Sequence, residues 1–261
     1  MRTENKFLNA LAAVWEMLVD FPLPPVFRGS ASPEPEMLLL AFPLVGAVLG
    51  LIPVLAGALT GMLFNRIAGA VIFALAAGIV LGFKDSGRGV LLLSSFVTRL
   101  MAKESRQEAL RELRHDAGVL DAQPAAIFVT LFAVVELGIL FLLSFYGAQW
   151  WIVAVAVAGA TVQGVLATEP RSGGRPGLIP QAEEKKGFSW FSAGVLFLFL
   201  LLRFPRPAAL LAGVAVFLLV RFFIRDFRDA AGGVDADFIT LGGAVTESAV
   251  LLLGLGVLNI G

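Results

Sequence analysis

Residues 37–65 read MLLLAFPLVGAVLGLIPVLAGALTGMLFN, with Glu36 before them, Arg66 after them and no charge between. A helix needs about 20 apolar residues to cross a bilayer, and this run is longer than that. The same reading extends outward along the chain. Seventeen uncharged residues separate Arg66 from Lys84, and Glu136 is the only charge between Asp121 and Glu169. That second run is too long for one crossing and breaks at Gly147-Ala148-Gln149. Two shorter apolar runs cover 187–202 and 207–220, and a last one from Phe238 onward carries only Glu247. The expected fold is all-α: one polytopic integral membrane helical bundle over 1–261, with spans near 38–63, 67–83, 124–146, 150–168, 188–202, 207–221 and 241–260.

The connectors give this count a sidedness. If seven spans alternate, 1–36 and the loops 84–123, 169–187 and 221–240 share one side and hold seventeen of the twenty basic residues. Basic loops mark the cytoplasmic face, so the N-terminus is expected inside and the C-terminus outside, in a cell (inner) membrane. Tyr146, Trp150 and Trp151 fall at the expected outer interface and Trp190 near the inner one, where aromatic belts sit. Phe7 to Val19 has the pattern of an amphipathic helix lying on the inner surface. Glu16 and Asp20 interrupt it as a secretory signal. Pro22, Pro24 and Pro25 then hold the chain extended. Residues 100–116 form a solvated, amphipathic cytoplasmic helix of mixed charge.

Composition narrows the function. The chain is 58% hydrophobic and 15% charged, with a mean hydropathy of +0.86, far from the soluble average of about 25% charged. Basic and acidic residues number twenty each, so no overall field recruits nucleic acid. With no cysteine and one histidine, thiolate sites, a Cys nucleophile and multi-histidine metal sites within one chain are excluded.

Acidic residues collect on the expected inner side: Asp85 after the second span, and Asp226, Asp229, Asp235 and Asp237 between the sixth and seventh. Carboxylates at several helix ends can hold a hard cation such as Mg²⁺, which prefers oxygen ligands. Arg88, Arg99 and the basic residues of 103–114 could meet a phosphate. The alternative is a set of solvated loop charges. Glu136 and Glu247 lie within apolar spans, where an acid marks a functional site or a neutral, hydrogen-bonded carboxyl. Gln163 or Thr161 of the next span would be the partner of a neutral Glu136. His115 is expected to be solvated.

Three stretches resemble the cobalamin synthase (adenosylcobinamide-GDP ribazoletransferase) family. Phe42-Pro43-Leu44-Val45-Gly46 follows a short helix and a Pro-rich turn, as the family's opening does. The charged helix ends in Leu113-Arg114-His115-Asp116, similar to the family's Met-Arg-Asp-Ser-Arg region. Gly232-Gly233-Val234-Asp235-Ala236-Asp237, with Glu247 ten residues on, is similar to the family's Gly-Gly-x-Thr-Gly-Asp segment. The chain departs from the family's Leu-Asp-Gly-Leu-Ala-Asp-Thr-Ala-Asp-Gly run. There Asp85 alone matches, and Gly89 and Leu92 stand at the second and third aspartates. The family's Ser-Arg-Ile-Gly segment is also missing around Ala117-Gly118-Val119.

The resemblance implies a transferase that joins adenosylcobinamide-GDP to α-ribazole, or its phosphate, with release of GMP. It implies Mg²⁺ held by Asp85 and Asp237, with Asp235, Asp226 and Asp229 as replacements for the missing aspartates. Glu247 would support the metal or accept a proton, and Arg88 or Arg114 would meet phosphate. Partners would be membrane lipid and the corrinoid and nucleoside substrates. Two other classes stay open: a non-catalytic membrane scaffold or corrinoid-binding descendant, and a small transporter with Glu136, Glu247 and Gln163 along its path.

Overall fold

The computed structural model describes residues 6–22, 33–102, 105–115, 122–171, 178–179, 185–201 and 206–258. The regular elements among them are helices: α1 (Lys6–Leu18), α2 (Pro35–Leu63), α3 (Arg66–Phe83), α4 (Arg88–Ala102), α5 (Arg106–His115), α6 (Ala122–Phe145), α7 (Trp151–Leu166), α8 (Gly187–Leu201), α9 (Arg206–Ala231) and α10 (Ala236–Leu253). A 3₁₀ turn, Gly254–Val257, follows. Three stretches are long and apolar enough to cross a membrane: Pro35–Leu63, Ile127–Phe145 and Ala236–Gly256. Arg66–Gly82 and Trp151–Leu166 are shorter apolar helices.

The centre of the bundle is α7, in which every residue is buried. Its composition explains the position. Alanine, glycine and valine predominate, and small side chains let helix backbones approach closely where no hydrophobic effect drives association. Gly46 and Gly50 of α2 lie against Ala156, Ala160 and Val153. On another side α7 meets α10, where Gln163 lies against Gly243. Trp151, expected at an interface, is fully buried, and its indole N–H donates to Val250 O at 2.9 Å. An indole buried in the bundle needs such a partner. Tyr146 is 41% exposed.

Two expected loops are largely helical. Within 84–123, α4 forms before the charged helix because its apolar positions bury Leu92, Leu93 and Phe96. The charged helix itself is α5, shorter than 100–116. Within 221–240, α9 runs on to Ala231. Phe222, Phe223, Phe227 and Phe238 form a continuous aromatic ladder, with successive centroids 5.6, 5.2 and 4.6 Å apart. The helix stops only at Gly232 and Gly233, whose φ values of 66° and 155° favour glycine. α1 covers nearly the same residues as the amphipathic helix expected over Phe7 to Val19. Its Trp15 indole donates to Phe21 O, and the Asp20 N–H donates to Lys84 O at 2.7 Å. Pro24, Pro25 and Asp116 to Asp121 lie outside the described residues.

Candidate functional site

The site is assembled at the turn after α3, where Lys84, Asp85, Ser86 and Gly87 connect α3 to α4. Ser86 and Gly87 have φ values of 55° and 79°. This tight turn lets Asp85 start the next helix: its carbonyl accepts from Arg88 N–H and its Oδ2 accepts from Gly89 N–H at 3.0 Å. A carboxylate in that role satisfies an otherwise orphaned donor. Burial holds the Asp85 carboxyl above the usual carboxylate range, against the opposing influence of Lys84 and the Gly89 hydrogen bond.

Lys84 turns inward. Its ammonium is ion-paired with Glu247 of α10, and both side chains are 7% exposed. Glu247 fits because α7 presents Gly159 opposite it; a Cβ at that position would overlap the carboxylate. Lys84, Asp85, Glu136 and Glu247 line one cavity of about 20 Å³ between α3, α4, α6 and α10, room for about one water molecule. Glu136 also borders a larger apolar groove of about 380 Å³, walled by Leu75, Ile79, Phe132 and Ala133. Neither expected neutral partner holds Glu136. Thr161 donates to Val157 O of its own helix, and Gln163 lies in the α7–α10 contact.

The structure separates the residues that the sequence singles out. Asp85 and Glu247 meet around Lys84. Arg88 pairs with Asp237, more exposed, at the starts of α4 and α10. Asp237 and Glu247 are ten residues apart on one helix, about 15 Å along its axis. Asp235 is the N-cap residue of α10. Asp226 is buried, 3.7 Å from Arg106, whose guanidinium lies over the Phe222 ring at 4.5 Å. Asp229 is 3.8 Å from Arg225 of its own helix. The side chains of Arg114 and His115 lie outside the described residues.

These residues do not fit a Mg²⁺ ion as arranged. The ion needs oxygen ligands at about 2.0–2.1 Å in near-octahedral order. Among the described residues no three His, Cys, Asp or Glu side chains are grouped to hold a metal. Glu247 and Asp237 each face a protein cation instead.

Lys84 is the residue that sequence reasoning counted only as a loop cation. A signal existed: an acid as deep as Glu247 requires a neutralising partner, and Lys84 directly ends an apolar helix. Comparisons with protein-family models, with curated proteins and with solved structures find no match for this chain.

Proposed function

We propose that the chain is a multi-pass protein of the cell inner membrane, with its N-terminus inside and about seven crossings, and that it acts as a divergent adenosylcobinamide-GDP ribazoletransferase at the inner face. One observation carries this reading. Two of the three stretches that resemble the family, far apart in sequence, reach one segment of α7: Phe42 packs on Gly164 and Gly46 on Ala156 and Ala160, while Glu247, ten residues after Asp237, packs on Gly159. A site built from those stretches requires such a meeting.

The chemistry this chain can offer is positional and electrostatic. A ribose hydroxyl of α-ribazole would attack a phosphorus of the corrinoid diphosphate. A new P–O bond forms, the P–O bond to GMP breaks, and the hydroxyl proton leaves. Arg88, 58% exposed at the start of α4, is the residue here that can meet a phosphate, and charge placed where it develops lowers the barrier. Asp237, 32% exposed beside Arg88, is the acceptor for the proton. Glu247 is too deeply buried to touch substrate, and its role is to fix the turn that carries Arg88 by holding Lys84.

A second reading is a descendant that binds the corrinoid nucleotide without transfer. It is favoured by Gly89 and Leu92 at two family aspartate positions and by the lysine within the acidic pocket. One experiment separates the two. Membranes containing the chain are supplied with adenosylcobinamide-GDP and α-ribazole, and GMP is measured. Release of GMP that Asp237→Ala abolishes supports transfer. Saturable retention of the corrinoid without GMP, weakened by Arg88→Ala, supports binding alone. Neither release nor retention by folded protein defeats both.

A further inference from the structure

The acidic pocket contains a cation of its own. Among its described lining residues, Lys84 is the basic one and faces Asp85, Glu136 and Glu247. The two family aspartate positions nearby offer no carboxylate and little space for one. Leu92 is buried, 4% exposed. A Cβ at Gly89 would lie 2.8 Å from Asp85 Oδ2 and 3.4 Å from Ala244 Cβ, so a longer side chain there collides with the group it would need as a co-ligand. The lysine is also held in place. The turn that carries it is fixed by the Asp20 N–H bond to Lys84 O and by Asp85 at the start of α4.

We propose that the Lys84 ammonium is the resident counter-ion of this pocket, which holds Asp85 and Glu247 but not Asp237 of the residues that the resemblance assigns to Mg²⁺, so that the wild-type chain takes up no divalent cation there. The electrostatics favour this assignment. A divalent ion approaching Glu247 would meet a positive charge already at hydrogen-bonding distance, in surroundings that screen poorly. Mg²⁺ dehydrates reluctantly and demands regular geometry, whereas an ammonium donates three hydrogen bonds and tolerates irregular acceptors. Without the ammonium, Glu247 has no counter-charge, which a divalent ion that keeps most of its waters could supply without the three-carboxylate cluster that the described residues lack. Lysine and metal are therefore mutually exclusive occupants. Turnover with the two substrates tests the transferase reading and has no bearing on which cation sits here.

The test uses the purified full chain in detergent, with Mn²⁺ as the probe, read by the loss of its free-ion electron paramagnetic resonance signal. Wild type is expected to leave the signal unchanged when mixed one to one. Lys84→Ala is expected to bind one equivalent, and Glu247→Gln added to Lys84→Ala to remove that binding. Lys84→Gln, which keeps the length of the side chain, serves if the alanine variant does not fold. Its affinity is expected to be at least about tenfold tighter than wild type, because a like charge has been removed. Binding of Mn²⁺ by wild type that is lost in Glu247→Gln overturns the assignment. So does a folded, ammonium-free variant that binds none.

Discussion

Lys84 and Glu247 are 163 positions apart in sequence, yet they form an ion pair in which each side chain is 7% exposed. A buried pair of this kind need not stabilise relative to apolar residues, but removing one partner leaves the other uncompensated at a cost of about 3–5 kcal/mol. Lys84→Ala and Glu247→Ala are each expected to destabilise the chain by that amount in thermal unfolding in detergent. Their combination is expected to cost less than the sum by about 0.5–3 kcal/mol. Simple additivity would mean that the two groups do not interact.

The contact between Gly159 and Glu247 makes a sharper prediction. Alanine is normally favoured over glycine inside a helix by about 0.8–1.0 kcal/mol. Here the added methyl overlaps the Glu247 carboxylate, so Gly159→Ala is expected to lower the unfolding temperature. Glu247→Ala removes Cγ, Cδ and Oε1, the three atoms that the added methyl would meet. In that background Gly159→Ala is expected to be neutral or stabilising, and an unchanged penalty would place the clash elsewhere.

Asp85 gives stability a pH dependence. Its carboxyl is held above the usual range, chiefly by burial. An acid with a raised folded-state pKa contributes fully below its unfolded value, near about 3.9, and loses that contribution as pH rises through the folded value. Asp85→Asn retains a capping oxygen for Gly89 N–H without the charge. The variant is expected to match wild type below about pH 4 and to gain over it as pH rises above that. Unfolding temperatures across a pH series report the gap, and a constant gap would mean that Asp85 titrates normally in the fold.

Sidedness can be read directly because the chain has no cysteine. Gln107→Cys in α5 and Arg225→Cys in α9 are expected to react with a membrane-impermeant thiol reagent only after the cells are opened. Phe64→Cys and Tyr146→Cys, both exposed between apolar helices, are expected to react in intact cells. Labelling of Gln107→Cys and Arg225→Cys from opposite sides would end the inner-face assignment.

Charge-free runs disclose the helices well because length and polarity alone decide them. The stretch 37–65 corresponds to α2, and the amphipathic pattern at Phe7 to Val19 corresponds to α1. Amphipathic helices next to the expected spans were harder to see. Charges in α4 and the second half of α9 read as loops, since one face of each is polar while Phe96 or Phe223 and Phe227 anchor the other. The site was half legible. Asp85 and Glu247 do share a cavity, but one-dimensional spacing could not show that Asp237 pairs with Arg88 instead of joining them. Nor could it show that Lys84 turns away from water.

The complete burial of α7 has a consequence for how the chain is made. Its Gly159–Gln163 face matches α10, which is translated some seventy residues later. Until then an amide side chain and a glycine notch stay exposed to whatever surrounds the nascent protein. Assembly of the centre therefore waits for the synthesis of α10, the helix that delivers Glu247 to both its notch and its lysine.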